Sequence, residues 1–261
     1  MDLSRFSMEG RTVIITGGSG GIGRGCARAF AQAGANVVIA SVPAESIPPA
    51  VEEVEALGAA ALGVAVNVAE PAEIDAMARQ TLDRFGRIDA LVNVAGGSYS
   101  RNPDMPQYKR AALLDMDGDD FVGAYVGNVK TAFLVSKAVV PHIRQAGKGS
   151  ITNIGSTSGL GHRSSSPDIA AYGTAKAAVH SLTFHMAHQW GPEVRVNCIA
   201  PGTIDTPRPA GTVRPEMASA AERIAVGRVG VADDIGSVAL FLASDAAGFV
   251  NGVVIPVHGG E

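Results

Sequence analysis

The chain has 261 residues, of which 46% are hydrophobic, 18% charged and 5% aromatic. This length can bury a sizeable core. Its 21 basic and 25 acidic residues, with a formal net charge of −4 and no basic run, argue against a nucleic-acid partner. No apolar run approaches the roughly 18 residues of a membrane span, and MDLSRFSMEGR lacks the apolar region of a secretory signal. Cys26 and Cys198 form no CxxC pair, so we expect a reduced, cytoplasmic protein without a membrane partner.

Short apolar segments alternate with longer, Ala-rich amphipathic segments along the chain. The predicted strands are residues 12–16, 36–41, 61–66, 90–93, 150–154, 194–200 and 253–257. The predicted helices lie near residues 22–33, 44–57, 71–85, 119–145, 169–190 and 232–243. Because VIIT, VVIA and ALVN are apolar without alternation, we expect parallel strands buried on both faces. The order predicts an α/β fold in a single domain, with a doubly wound parallel sheet of about seven strands and helices on both faces.

Two long connections, residues 98–120 and 160–169, interrupt this alternation. Long connections in compact domains are often functional or mobile, although a solvated excursion explains them equally well. An arginine there could clamp an anionic substrate group, and solvated loop charge is the simpler alternative. The basic residues on the two connections are Arg101, Lys109, Arg110, His162 and Arg163.

A glycine-rich turn joins the first strand to the first helix. Gly17, Gly21 and Gly23 lie in TGGSGGIGRG, where a backbone without Cβ atoms can turn sharply and approach a pyrophosphate. The start of the following helix would supply free N–H groups and the positive end of its dipole. A flexible turn is the alternative, but the position in the first strand and first helix favours dinucleotide binding.

The end of the second strand does not distinguish NAD from NADP. A carboxylate at this point would pair with the ribose 2′-hydroxyl, and a basic residue with a 2′-phosphate. The chain has Ser41 there, followed by Val42 and Pro43. Without a nearby cation to offset the extra phosphate charge, we slightly favour NAD(H) over NADP(H).

A tyrosine and a lysine share a helix face near residue 174. Tyr172 and Lys176 are four residues apart, and a neighbouring ammonium favours the phenolate and can bring it into range for proton transfer. Such a pair also arises by chance. Ser156 follows the fifth strand, at the end where ligands bind in open α/β sheets, and its hydroxyl could donate to a substrate oxygen.

Taken together, these segments resemble the short-chain dehydrogenase/reductase family, in its short single-domain branch, over nearly the whole chain. The resemblance rests on TGGSGGIG at 16–23, NVAG at 93–96, Asn128 in GNVKTAFLVSKA, Ser156, the Tyr172 and Lys176 pair, NCIAPGTIDT at 197–206 and the final stretch from GRVGVADDIG to VIPVHGG. It implies a single NAD(P)-binding Rossmann-type catalytic domain over residues 1–261. The implied reaction is hydride transfer between a nicotinamide cofactor and a carbinol or carbonyl carbon. The implied assembly is a homotetramer, and Ala-rich outer helix faces also suit a homodimer.

The resemblance implies roles for individual residues. Tyr172 would be the acid and base, while Lys176 would lower its pKa and hold the nicotinamide ribose. Ser156 would stabilise the substrate oxygen, and Asn128 would position a water that relays protons to Lys176. The implied cofactor-binding residues are Gly17, Ser19, Gly21, Ile22, Gly23, Ser41, Asn67, Val68, Asn93, Ala95, Gly96, Tyr172, Lys176, Pro201, Gly202, Ile204 and Thr206.

The chain departs from the family pattern at a few positions. Asn67 stands where the family usually has an aspartate against adenine, and an amide can still bond there. Val94 replaces the second asparagine of the usual NNAG, and His258 replaces an acid in the final segment. His185 and His188 are three residues apart on a predicted helix without an evident third ligand, so we expect no metal site.

Three classes of function remain open from the sequence. An oxidoreductase acting on a small-molecule secondary alcohol or ketone is favoured because Asn128, Ser156, Tyr172 and Lys176 are all present. A nucleotide-binding sensor or scaffold is the first alternative, and a lyase or epimerase that uses the cofactor transiently is the second. Within the favoured class, the substrate is a 3-oxoacyl thioester or a small cyclic or aryl alcohol.

Overall fold

The computed structural model describes residues 3–100, 106–161, 167–206 and 215–261. Seven strands form one sheet: β1 (Thr12–Thr16), β2 (Asn36–Ser41), β3 (Ala61–Ala65), β4 (Ala90–Asn93), β5 (Gly149–Ile154), β6 (Val194–Pro201) and β9 (Val254–Val257). Two short strands, β7 (Ile204–Asp205) and β8 (Gly230–Val231), pair with each other. The helices are α1 (Gly21–Gln32), α2 (Pro48–Ala56), α3 (Pro71–Phe85), α4 (Gly118–Tyr125), α5 (Thr131–Gln145), α6 (Ala170–Trp190), α7 (Pro215–Arg223) and α8 (Ala232–Ala243).

All seven strands of the main sheet are parallel, in the order β3-β2-β1-β4-β5-β6-β9. The predicted α/β fold, with a doubly wound parallel sheet of seven strands in a single domain, is therefore confirmed. The chain reverses its direction of winding between β1 and β4, which are neighbours in the sheet. Ligands of open α/β sheets bind outside the carboxyl ends of the strands at such a point.

Two apolar layers cover the two faces of the sheet. On one face, Phe30 of α1 and Leu242 of α8 are fully buried against the sheet. On the other, Met77 of α3, Ile143 of α5 and Met186 of α6 are buried in the same way. Burying side chains of this size removes each from water at a gain of roughly 1.5 to 3 kcal/mol. Both strand faces are thus occupied, as the unbroken apolar strand sequences predict.

Helices α1 and α8 cross at very short distance because two glycines face each other. A Cβ at Gly25 would overlap the backbone of Ala232, and one at Gly236 would overlap the Gly25 carbonyl group. No other residue type fits either position without a shift of one helix. The contact fixes α1, whose first turn follows the glycine-rich loop.

Some predicted boundaries differ from the structure. The predicted helix 44–57 is a 3₁₀ turn followed by α2, since Pro48 and Pro49 set a new helix start. The predicted helix 119–145 is α4 and α5 joined by a π-helical turn, Val126–Lys130. The short elements β7, β8 and α7 were not predicted, because strands of two residues and a helix of nine are too short to stand out in a window of about 11 to 18 residues.

Candidate active site

A cavity of about 500 Å³ lies at the carboxyl ends of the central strands. Its walls come from the turn after β1, the ends of β2, β4, β5 and β6, and one face of α6. The residues predicted for the site that line it are Gly17, Ser19, Gly21, Ile22, Ser41, Val68, Ala95, Gly96, Ser156, Tyr172, Lys176, Pro201, Gly202, Ile204 and Thr206. The fold therefore brings together most of the sequence-predicted set.

The loop after β1 forms a cradle of exposed backbone. Gly17 has a φ of +66°, and a Cβ there would lie 3.2 Å from the Ala95 backbone nitrogen. Gly21 has a φ of +47° at the first residue of α1. Gly20, at the N-cap, has no side chain that could accept from the first-turn N–H groups. Those N–H groups and the positive helix end suit the pyrophosphate of a dinucleotide, and the positive φ at Gly17 and Gly21 favours glycine at both positions.

Three serine hydroxyls meet at the end of β2. Ser19 Oγ lies 2.7 Å from Ser41 Oγ and 2.8 Å from Ser46 Oγ. The Ser46 hydroxyl also donates to the Pro43 carbonyl oxygen at 2.7 Å. This cluster occupies the place where the second strand would meet an adenosine ribose.

The basic side chains of α1 are engaged away from the serine cluster. Arg24 forms an ion pair with Glu53 and donates to the Pro49 carbonyl oxygen at 2.9 Å. Arg28 forms ion pairs with Glu53 and Asp233. A 2′-phosphate at the serine cluster would therefore meet hydroxyl groups rather than a free guanidinium from this helix.

Ser156 and Tyr172 lie together on the cavity wall. Ser156 begins the turn after β5, and its Oγ accepts from the Ser158 N–H at 3.2 Å. Tyr172 lies in the first turn of α6 and is partly buried. Burial raises the pKa of the Tyr172 phenol, and the hydrogen bond from the Ser156 side chain lowers it in part. The pair can thus place two hydroxyl groups on one substrate oxygen.

Lys176 is buried one helical turn beyond Tyr172. Its Nζ donates to the Ile154 carbonyl oxygen at 2.7 Å and lies 5.7 Å from the centre of the Tyr172 ring. Burial lowers the pKa of the Lys176 ammonium to about 8. Burial is the larger influence on the pKa of the Tyr172 phenol, and the ammonium contacts a backbone carbonyl and the ring face, so the predicted lowering of the Tyr172 pKa by Lys176 stays a prediction.

Asn128 belongs to the π-helical turn and does not line the cavity. Its amide nitrogen donates to the Gly97 carbonyl oxygen at 3.0 Å and the Ala124 carbonyl oxygen at 2.9 Å, and its Oδ1 accepts from the Gly97 N–H at 3.1 Å. Tyr108, whose hydroxyl donates to the Gly97 carbonyl at 3.0 Å, packs on the same turn. The side chain of Asn128 therefore fixes the wall after β4, and its predicted water-relay role stays a prediction.

Three further predicted cofactor residues lie outside the cavity lining. Asn93 is buried and donates to Ser136 Oγ and Asn153 Oδ1, both at 2.9 Å. Asn67 Oδ1 accepts from the Ala69 N–H at 3.1 Å within its own turn. A Cβ at Gly23 would overlap the Gly17 carbonyl oxygen, so this glycine closes the loop onto α1. The side chains of Asn93 and Asn67 are thus engaged with protein groups, and their predicted cofactor roles stay predictions.

Sequence reasoning missed the cavity residue Tyr108. The residue lies in the first long connection and is 6% exposed, with its ring against Gly123 and Gly127. Its signal in the sequence is weak, a single aromatic residue in the polar segment PQYKRA. Tyr99 and Ser100, from the same connection, also line the cavity.

The basic residues of the long connections are only partly described. Arg110 forms an ion pair with Asp168 at 2.7 Å, which ties the two connections together. Arg101, His162 and Arg163 lie outside the described residues. Within the described ranges, no three His, Cys, Asp or Glu side chains converge on a metal-sized site, and no helix has the length and apolar character to cross a membrane.

The chain matches a family model described as enoyl-(acyl carrier protein) reductase over residues 17–261. It is 36% identical to the (2S)-[(R)-hydroxy(phenyl)methyl]succinyl-CoA dehydrogenase subunit BbsD of Thauera aromatica, over 98% of each chain. It is 33% identical to the 3-oxoacyl-[acyl-carrier-protein] reductase FabG of Thermotoga maritima, over 97% of this chain and 98% of that one. The 7alpha-hydroxysteroid dehydrogenase of Escherichia coli strain K12 is 34% identical, over 97% and 94%.

A solved structure of similar shape has a ligand in place. The 7alpha-hydroxysteroid dehydrogenase complexed with NADH and 7-oxo glycochenodeoxycholic acid superposes with a TM-score of 0.88 at 32% identity. The match covers 100% of this chain and 97% of that chain.

Proposed function

Since the chain belongs to the short-chain dehydrogenase/reductase family, and is thereby a nicotinamide-dependent oxidoreductase of alcohols and ketones, we propose that Tyr172 is the general acid and base of its reaction. The observation that carries this proposal is that Ser156 and Tyr172 line the same cavity, close enough for the Ser156 hydroxyl to lower the pKa of the Tyr172 phenol. When bound, the cofactor supplies the hydride donor or acceptor at its nicotinamide ring.

The proton steps are proposed as follows. In the reductive direction, the Ser156 hydroxyl donates a hydrogen bond to the substrate carbonyl oxygen, and the Tyr172 phenol transfers its proton to that oxygen. In the oxidative direction the Tyr172 phenolate removes the proton from the alcohol oxygen. The buried Lys176 ammonium lies 5.7 Å from the phenol ring and favours the phenolate through its charge.

We propose that the loop after β1 and the serine cluster hold the nucleotide. The first turn of α1 would bind the pyrophosphate, and Ser19 and Ser41 would bind the adenosine ribose. The engagement of Arg24 and Arg28 with acidic partners supports NAD(H) over NADP(H), since a 2′-phosphate carries about two negative charges and these two guanidinium groups are already paired with carboxylates.

Titration with NADH and with NADPH, followed by reduced-nicotinamide fluorescence, tests the nucleotide proposal. We expect NADH to bind at least about tenfold more tightly, a difference of about 1.4 kcal/mol. Tighter NADPH binding would contradict the NAD preference, and no binding of either would favour a non-catalytic scaffold.

For the substrate, we propose a small cyclic or aryl secondary alcohol or the matching ketone. Support comes from Tyr99 and Tyr108, which line the cavity beside Ser156 and offer aromatic surface. Among the relatives, one is named for a phenyl-bearing hydroxyacyl-CoA and one for a 3-oxoacyl thioester. Turnover of 1-phenylethanol and cyclohexanol, compared with reduction of an acetoacetyl thioester, tests the choice. Faster turnover of the thioester would contradict it.

We further propose that the chain forms a homotetramer in the cytoplasm. Two separate exposed surfaces support the assembly, one with Phe121, Val122 and Tyr125 on α4 and one with Phe184 and Phe249, where Phe249 is fully exposed. Two distinct self-complementary contacts build a tetramer with dihedral symmetry. Light scattering should give a molar mass of about four times 26.6 kDa, and a monomer mass would contradict the proposal.

The two buried free cysteines, Cys26 and Cys198, support the cytoplasm as the compartment, because free thiols persist in a reducing environment.

A further inference from the structure

We propose that His180 is a positioning residue for Ser156, because its imidazole ring spans the two ends of the turn from Ser156 to Gly159. This inference rests on the proposed role of Ser156 in binding the substrate oxygen. It goes beyond that role by naming the side chain that holds the serine backbone in place.

The imidazole faces backbone groups at both ends of the turn. The Ser156 N–H points at His180 Nε2 over 3.5 Å, and Gly159 lies against the ring at Cε1, where its backbone raises the pKa of the imidazole slightly. Since the Ser156 N–H can only donate, Nε2 is the acceptor, and a neutral ring then carries its hydrogen on Nδ1. One neutral ring can thus accept from the start of the turn while it packs against the end of the turn at Gly159.

The turn fits against the helix only because the residue before it, Gly155, and its last residue, Gly159, are glycines. A Cβ at Gly155 would overlap His180 Nε2 and lie 2.8 Å from Cys198 Sγ. A Cβ at Gly159 would lie 2.8 Å from His180 Cε1 and 2.7 Å from the Ala177 nitrogen. The backbone before and after Ser156 therefore packs directly against the His180 ring. A substitution of His180 would be expected to shift the position of Ser156.

His180 continues the catalytic face of α6. Tyr172, Lys176 and His180 are spaced four residues apart in one helix, so they lie on the same side of it. Tyr172 and Lys176 reach the cavity, and His180 lies under the turn that carries Ser156. A single rigid helix thereby sets the positions of the phenol and, through His180, of its hydrogen-bond partner.

The charge state of the ring agrees with this geometry. Burial and the nearby Lys176 ammonium lower the pKa of His180. The titratable groups that face it are Lys176 on α6 and the Cys198 thiol on β6, since the segment from Ser156 to Leu160 bears only hydroxyl and apolar side chains. The ring is neutral at pH 7, as an acceptor at Nε2 requires.

Kinetics of matched variants test the proposal. His180→Leu should lower kcat about 10- to 100-fold while the Kd for NADH changes less than twofold, because displacement of a reacting group by about 1 Å can cost 10²-fold. His180→Gln, whose side-chain oxygen can accept from the Ser156 N–H, should recover most of the loss. His188→Leu, on the exposed face of the same helix, is the control. Equal losses in the Leu and Gln variants, or full activity in the Leu variant, would overturn the proposal.

A double-variant cycle separates this proposal from the proposed function. In a Ser156→Ala background, His180→Leu should have little further effect on kcat, since the group it positions is gone. Independent, multiplicative losses would contradict positioning through Ser156. Full activity of Ser156→Ala would overturn the proposed role of Ser156, whereas an inactive Ser156→Ala beside a fully active His180→Leu overturns only the inference about His180.

Nitrogen-15 NMR of the imidazole supplies a readout that needs no turnover. The spectrum should show a neutral ring at pH 7, with the hydrogen on Nδ1 and a pKa below the ordinary value of 6.5. A ring protonated at pH 7, or one with its hydrogen on Nε2, would overturn the proposal. His188 in the same spectrum, exposed to water, provides the internal comparison.

Discussion

The Lys176 ammonium lies 5.7 Å from the centre of the Tyr172 ring and donates to the Ile154 carbonyl oxygen at 2.7 Å. The lysine is therefore held by the backbone of β5 and not by the phenol oxygen. Burial then acts on both groups in the direction of the neutral form, raising the pKa of Tyr172 and lowering that of Lys176 to about 8. The Lys176 ammonium is therefore a buried charge that destabilises the folded protein, and it lies beside the proposed proton transfer.

Replacing the phenol tests the acid and base directly. Tyr172→Phe should lower kcat by about 10²- to 10⁴-fold, the range typical of a lost general acid or base. The Kd for NADH should stay within about threefold, because the ring itself remains. Steady-state rates and fluorescence titration measure the two effects. Tyr125→Phe, on an exposed helix face, is the matched control, and near-full activity of Tyr172→Phe would exclude the assigned role.

Removing the buried ammonium should stabilise the cofactor-free protein at neutral pH. A pKa lowered from 10.5 to about 8 disfavours the folded state, by an amount on the order of 3 kcal/mol. This penalty is complete below pH 8, where both folded and unfolded chains carry the proton. It fades between pH 8 and 10.5, where the folded chain loses the proton first.

Lys176→Met should therefore raise the free energy of unfolding at pH 7 by about 1 to 3 kcal/mol, since the Ile154 carbonyl also loses a donor. The advantage should shrink as the pH rises toward 10.5. Urea unfolding of both proteins at pH 7 and pH 9.5 measures the difference. A variant that is less stable at pH 7 than the parent, or an advantage that grows with pH, would refute the expected burial penalty. Its activity should fall at the same time.

A carboxylate at the end of β2 should sharpen the nucleotide preference. In Ser41→Asp a carboxylate would replace the hydroxyl that lies 2.7 Å from Ser19 Oγ, and its charge would repel a 2′-phosphate. We expect the affinity for NADPH to fall at least tenfold relative to NADH. Ser237→Asp introduces the same group on the exposed face of α8 and should leave the ratio unchanged. An unchanged ratio in Ser41→Asp would place the ribose elsewhere.

At the close crossing of α1 and α8, one added methyl group should lower the stability of the protein. Gly25→Ala would force a Cβ into the Ala232 backbone, and overpacking of this kind costs about 1 to 3 kcal/mol. Because α1 begins at the phosphate cradle, NADH binding should weaken as well. Gly118→Ala, at a position with open space, should be neutral in both thermal unfolding and titration. Equal behaviour of the two variants would show that α1 can shift freely.

Strand positions were predictable from the sequence because buried parallel strands form unbroken apolar runs between glycine-rich turns. The site was predictable to the level of which segments meet, since the carboxyl ends of parallel strands share one edge. The directions in which the side chains point were not predictable. Asn93 is the last residue of β4, and its side chain turns into the core to meet Ser136 and Asn153, partners 43 and 60 positions away.

The break in the predicted helix 119–145 has a similar origin. The π-helical turn at Val126–Lys130 packs Gly127 against the Tyr108 ring, which comes from an irregular connection. The local sequence VGNVK carries no breaker other than that glycine. Such a π-helical turn depends on contacts between the helix and a distant loop, and these contacts cannot be read from the helical periodicity of the sequence.

The strand order also governs when the cavity can come into existence. Thr12 on β1 pairs with Asn36, which follows it by only 24 positions. The Thr12 N–H donates to the carboxylate of Asp89, which lies 77 positions away in the sequence. The entropy cost of closing a chain segment grows with its length, and pairings between distant segments slow folding. The β1–β3 half can assemble early by short-range pairings. We therefore expect the crevice between β1 and β4 to form late in folding, so a partly folded chain would hold much of its sheet without a place to bind a nucleotide.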